Sequence, residues 1–352
     1  MKRRSWDVKL SRRSVLGQAN RVAVSPARAL ASRAVTATIE STPPQRISRS
    51  PLAVLALSVL GISFAAPLVR LSDAPALVIA AWRLGFSLCL IAIALLVTGQ
   101  WRDWRRLSRR DVWLSVAAGL LLSLHFWSWN ASLRYTTVAA SVSLVNLQPV
   151  IIAIVSARWL HERASSGQWI GIAIAVIGAL IVGLADVPGG VSGIASALAG
   201  GAADDGGRMR ALFGDLLACI GAITAAFYYL IGRRVRQILA LWPYVGLVYG
   251  AAFVGCVVMA LLTGATLAPQ PPRELAIFAG LALGPMLLGH TGMNWALGHL
   301  PAYVVNLTTL GEPIGATVIA ALLPGIAEVP GPGTVVGGAL VLAGVFLAAR
   351  KP

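Results

Sequence analysis

The chain has 352 residues, 57% of them hydrophobic and only 12% charged, with a mean hydropathy of +0.77. A soluble domain carries about 25% charged residues, so this composition excludes a water-soluble globular fold. The formal net charge of +16 suggests nucleic acid as a partner, but the cationic residues flank apolar blocks in the pattern of a membrane protein, which excludes that reading.

Residues 1–50 hold eleven Lys and Arg, two acids (Asp7 and Glu40) and much Ser, Ala and Pro. Such a segment cannot bury a core and is expected to be a disordered, basic, cytoplasmic tail. Ser11-Arg12-Arg13-Ser14-Val15-Leu16 resembles a twin-arginine export signal, yet no apolar run follows closely. The Arg- and Ser-rich composition also fits a transit peptide; the tail is the preferred reading.

Ten apolar blocks follow: Pro51–Val69, Ala76–Val97, Val112–Ser132, Val138–Ala157, Trp169–Leu184, Leu212–Ile231, Pro243–Leu262, Leu275–Leu297, Ala302–Leu323 and Thr334–Ala349. Each is long enough to cross about 30 Å of hydrocarbon as a helix. Lipid offers the backbone no hydrogen bonds, so each block is predicted to be helical, and none shows the alternation of a membrane barrel. The fold expected is all-α and integral to the membrane, with ten transmembrane helices. Cys89, Cys219 and Cys256 lie inside spans without metal-type spacing and read as packing residues; no metal and no cofactor is expected.

The loops carry a strong charge bias. The side holding the N-terminus collects the eleven cations of the tail and Arg102, Arg105, Arg106, Arg109 and Arg110. It also has Arg158, Arg163, Arg233, Arg234, Arg236, Arg350 and Lys351. The other side has Arg70, Arg134, Arg208, Arg210 and Arg273. This bias predicts a multi-pass protein of the inner or plasma membrane with both termini in the cytoplasm.

Two parts of the chain repeat one another. Asn130-Ala131-Ser132-Leu133 and Val145 through Pro149 map onto Asn294-Trp295-Ala296-Leu297 and Thr309 through Pro313 at an offset of 164. After a two-residue insertion, Gly167, Gly171 and Gly178 map onto Gly333, Gly337 and Gly344. Each repeat has five spans, an odd number, so the second copy enters from the opposite side. The organisation predicted is a first repeat at 51–184, an external Gly- and Asp-rich linker at 185–211, and an inverted second repeat at 212–350.

Leu147-Gln148-Pro149-Val150-Ile151, then Leu160-His161-Glu162-Arg163, resembles the first-repeat signature of the EamA family of the drug/metabolite transporter superfamily. Leu310-Gly311-Glu312-Pro313-Ile314-Gly315 resembles the second-repeat signature, and Leu288-Gly289-His290-Thr291 fits the same family. The resemblance covers residues 51–350. It implies ten helices, inverted repeats, a central cavity and export of small metabolites. His161 stands where the family usually has Gly, and Leu323-Pro324-Gly325-Ile326-Ala327 is more broken than a typical end of span nine.

A Pro inside a helix removes one backbone bond. Pro149 is expected to free the carbonyl of Val145, and Pro313 that of Thr309. Two such breaks, beside Asn146, Gln148, Thr308 and Glu312, read either as packing kinks or as the lining of a cavity. Glu312 is the acid placed near the middle of a span. Burying its charge costs roughly 2.5–3.5 kcal/mol, so it faces a cavity, is paired or is protonated. It serves a proton or a substrate cation, or it braces the kink. Arg83, inside span two, could hold a substrate carboxylate, pair with Glu312 or snorkel outward. His125, Trp129 and Asn130 in span three, and His290 and Asn294 in the equivalent part of span eight, are candidates to line both halves of one cavity, Trp129 being readable also as an interface anchor; Tyr228, Tyr229 and Tyr249 are weaker candidates. The six repeat glycines read as close helix packing, within the chain or across a homodimer. The function expected is a secondary transporter, exporting small metabolites such as amino acids by alternating access. The alternatives are a passive channel and a membrane protein that does not transport. No enzyme motif is present.

Overall fold

The computed structural model describes residues 49–159, 165–186, 205–300, 305–306 and 308–349. The tail at 1–48, His161 to Arg163 and most of the linker lie outside the described residues. The described residues are helical, without strands.

Span one is two helices, α1 (Arg49–Ser63) and α2 (Ala65–Leu71), joined at Phe64. Span two is α3 (Ala76–Thr98), which ends on Gly99 at φ +67°, the left-handed conformation that a glycine without Cβ adopts freely. A 3-10 turn over Gln100–Arg106 leads to α4 (Arg109–Ser132), capped by the Ser108 side chain, which accepts from the Asp111 amide. Span four is split into α5 (Val138–Val145) and α6 (Gln148–Trp159). Then come α7 (Ser166–Asp186), α8 (Asp205–Val235) and α9 (Leu241–Leu262). Span eight begins as α10 (Pro272–Leu281), continues as a π-helix over Ala282–Thr291 around Pro285, and ends as α11 (Gly292–Leu297). The last helices are α12 (Gly311–Leu322) and α13 (Pro332–Ala349).

Among the described residues six helices are long and apolar enough to cross a membrane, and four shorter apolar helices lie at the positions of spans four, five, nine and ten. Turns at 146–147 and 309–310 interrupt spans four and nine. Large apolar side chains such as Ile93, Leu96, Val97, Leu180, Val254, Leu261 and Leu262 are exposed, as expected of a surface that faces lipid rather than water.

The packing exchanges elements between the repeats. Span three packs on span six, and span one on span eight, which is the same pair under the mapping of one repeat onto the other. Spans two and seven pack together, as do four and nine, and five and ten form the most extensive pair. In the five–ten pair, a Cβ on Gly178 would lie 2.6 Å from Val341 N and 2.7 Å from Gly337 O. A Cβ on Gly344 would lie 2.3 Å from Ala175 N and 2.6 Å from Gly171 O. Only glycine permits two helix backbones to approach so closely. Gly333 meets Ala185 in the same pair, whereas Gly167 has only Ser165 Oγ near, at 3.9 Å.

At one end, ion pairs tie the loops together. Arg70 reaches Glu328 at 3.5 Å, and Arg273 reaches Asp73 at 3.0 Å and Glu274 at 3.2 Å. Glu328 also accepts from the Val138 amide at 2.5 Å, at the start of α5.

Candidate functional site

The site starts from the two helix breaks. In span four the chain turns at Asn146 and Leu147 and restarts as α6, with Pro149 in the first turn. In span nine it turns at Thr309 and Leu310 and restarts as α12, with Pro313 in the first turn. Proline is well placed there, since the first amides of a helix have no intrahelical partner to lose. The prolines therefore begin helices rather than kink them. One expectation is corrected: the Thr309 carbonyl is not left open, because it accepts from the Glu312 amide at 2.9 Å. The tight turn between the helix segments uses the carbonyl that an interior proline would have released.

The breaks meet across the repeats. Asn146 Nδ2 donates to Val142 O at 3.0 Å and lies 3.5 Å from Glu312 Oε2. Beside them is a cavity to which spans one, three, four, six, eight and nine contribute. His125, Trp129, Gln148, Tyr228, His290 and Glu312 line it, as do Ile62, Ala65, Val145, Ala225, Tyr229, Met293 and Thr309. Of the second group, the sequence points to Tyr229 as a weaker candidate and to Thr309 beside the span-nine break, but not to the other five. Those five are apolar side chains with no chemical signature.

The two histidines come together. Their ring centroids are 6.3 Å apart, His125 stacks on Trp129, and Phe126 meets His290 edge-on at 5.4 Å. His125 Nδ1 donates to Gly221 O at 2.9 Å; a carbonyl can only accept, so the proton of a neutral ring sits on Nδ1 and Nε2 is the acceptor. His290 lies on the π-helix and its Nδ1 has no partner. The signal for that irregular helix was Pro285 in the middle of span eight.

Polar atoms without partners collect around the cavity: Trp129 Nε1, Gln148 Oε1, Asn146 Oδ1 and Asn294 Oδ1. Buried groups of this kind are costly unless a ligand or water meets them. Asn294 does not line the cavity. It supports it, donating to Tyr228 Oη at 2.6 Å and to His290 O at 2.9 Å. Asn130, its counterpart, reaches only Ala76 O at 3.3 Å. Thr308 turns its hydroxyl back to Val305 O at 2.7 Å. Beyond the end of span six, Arg236 donates to Asn294 O at 3.0 Å; burial lowers its pKa, opposed by the nearby Tyr244.

Arg83 neither snorkels nor lines the cavity. It is fully buried, 4.2 Å above the Phe126 ring, and among the described residues no carboxylate lies within ion-pairing distance. No group of three or more His, Cys, Asp or Glu gathers to hold a metal among the described residues.

Comparison with known proteins adds family and fold. A model of the EamA-like transporter family matches residues 50–184 and 212–350. The chain is 25% identical over 213 residues to a probable terminal-alkyne amino-acid exporter of Streptantibioticus cattleyicolor. That match covers 59% of this chain and 63% of the relative, less than two thirds of its length. It is 30% identical over 96 residues to an uncharacterized transporter in the cobO 3' region of a Sinorhizobium species, covering 27% of this chain and 67% of that protein. A solved crystal structure superposes with a TM-score of 0.58 at 18% identity, over 85% of this chain and 96% of its own, and so shares the fold.

Proposed function

Because the chain belongs to the EamA-like transporter family, membrane-embedded proteins that carry small molecules, we propose that it is a ten-helix secondary transporter that exports small metabolites, with amino acids and related compounds as the leading class. The observation that carries this reading is the meeting of two helix breaks, one from each repeat, at a cavity to which both repeats contribute. Unwound backbone at membrane depth is tolerated where it lines a cavity, and transporters place their substrates there. Two inverted halves then exchange inward-open and outward-open shapes, with Glu312 as the group that gains and loses a proton or holds a substrate cation. The similarity to a probable amino-acid exporter supports the substrate class.

The protein sits in the inner or plasma membrane with both termini in the cytoplasm. Reporter fusions after Arg110 and Arg236 are expected to report cytoplasm, and fusions within 186–210 the outside; a cytoplasmic signal from 186–210 removes the inverted topology. Function is tested in proteoliposomes with a panel of labelled metabolites. Saturable flux of at least one, stimulated by substrate on the opposite side, is expected. Flux that neither saturates nor responds to the opposite side identifies a passive channel instead.

A further inference from the structure

Arg83 is placed where a charge is hardest to keep. It has 0% exposure, so its guanidinium cannot reach either membrane surface. Its Nη2 points at Met286 Sδ, 3.8 Å away, which is a weak acceptor, and its Nε and Nη1 have no partner. The face of Phe126 satisfies the charge from one side only. A buried, unpaired ion is strongly unfavourable, and a planar fork of donors is matched by a carboxylate.

One aromatic ring, Phe126, links Arg83 to the cavity. Phe126, which covers Arg83, also contacts His125 at 5.2 Å and His290 at 5.4 Å, and both histidines line the cavity. Met286 and His290 belong to the π-helical segment, so the partition is one phenyl ring and the most irregular backbone of span eight. Among the described residues the lining holds a single acid, Glu312, together with the apolar and aromatic surfaces of Trp129, Tyr228 and Tyr229.

We propose that Arg83 is the carboxylate pole and Glu312 the amine pole of one binding site, which takes a zwitterionic amino acid with an apolar side chain. The proposal rests on the transport reading above. A ligand with only an amine leaves Arg83 unpaired. A ligand with only a carboxylate leaves Glu312 unmatched. A zwitterion satisfies both, and its side chain lies against the aromatic wall. Phe126 must move aside when the carboxylate arrives.

The test uses the purified full-length chain and thermal-shift titration with each of the twenty proteinogenic amino acids. Each is paired with its methyl ester and its decarboxylated amine. At least one apolar amino acid is expected to stabilise the protein, with its ester and amine binding about 10- to 100-fold more weakly. Arg83→Met is expected to melt higher than wild type when empty, because an uncompensated buried charge is gone. It is also expected to bind acid and ester alike, which a merely structural arginine would not cause. The proposal is overturned if no amino acid binds, or if wild type binds ester as well as acid. It is equally overturned if Arg83→Met melts lower or fails to fold, since the guanidinium is then a brace. Vesicle flux separates the two readings: amino-acid binding without flux removes the exporter and keeps the site. Equal flux of amino acids, esters and amines removes the site and keeps the exporter.

Discussion

The two repeats are alike where they grip each other and unlike where they face the cavity. In the five–ten pair, Gly178 lies against Gly337 and Val341, while Gly344 lies against Gly171 and Ala175, so each contact has its twin with the repeats exchanged. At the breaks the twin positions differ. Gln148 begins one helix and Glu312 occupies the first turn of the other, an uncharged amide opposite a carboxyl. His125 rides on a regular α-helix, His290 on a π-helix. The difference separates two demands. A scaffold that exchanges two equivalent shapes needs equal halves, whereas a proton or a substrate charge needs one titratable group rather than two facing each other.

The comparison breaks first at the glycines. Gly178→Val and Gly344→Val force side chains into backbone at under 3 Å, so each is expected to destabilise by about 3 kcal/mol or more and to remove most folded protein. Fluorescence-detected size exclusion reads this. Damage from only one of the pair would show that the packing is not shared equally.

A smaller effect separates the asparagines. Asn294→Leu removes donors to Tyr228 and His290 and is expected to cost about 2–3 kcal/mol, while Asn130→Leu, which loses one long bond, costs about 1 kcal/mol. Melting curves of the two variants decide it; equal losses would mean that the support beneath the cavity is symmetric after all. The smallest effect belongs to Gly167→Ala. Its Cβ meets nothing closer than 3.9 Å, and its stability is expected to stay within the range of about ±0.5 kcal/mol typical of surface changes.

Much of this was legible in the chain. Apolar blocks too long and too uncharged for water announced helices in a membrane, and the offset of 164 linked Gln148 to Glu312 in the sequence itself. The prolines marked where the helices restart, because proline removes a helical donor wherever it stands. What they could not reveal was the local pairing. A proline in a first turn and one in a helix interior read identically in sequence, so the bonding of the Thr309 carbonyl stayed hidden. Pro285 in span eight was the overlooked signal for the π-helix. The burial of Arg83 was invisible for another reason. Snorkelling and burial depend on which face of α3 meets spans three and eight, and an all-round apolar helix gives no periodicity to choose a face.

The most direct test of the asymmetry is Glu312→Gln, which makes the second break resemble the first while keeping the size and hydrogen-bonding capacity of the side chain. In proteoliposomes with an imposed pH gradient, wild type is expected to accumulate substrate. Glu312→Gln is expected to lose gradient-driven accumulation while keeping a weaker exchange of substrate across the membrane, because the amide oxygen still accepts from an amine but no longer carries a charge to pair with it. Unchanged gradient-driven accumulation in Glu312→Gln would contradict the account and turn the search for the coupling group to His125 and His290.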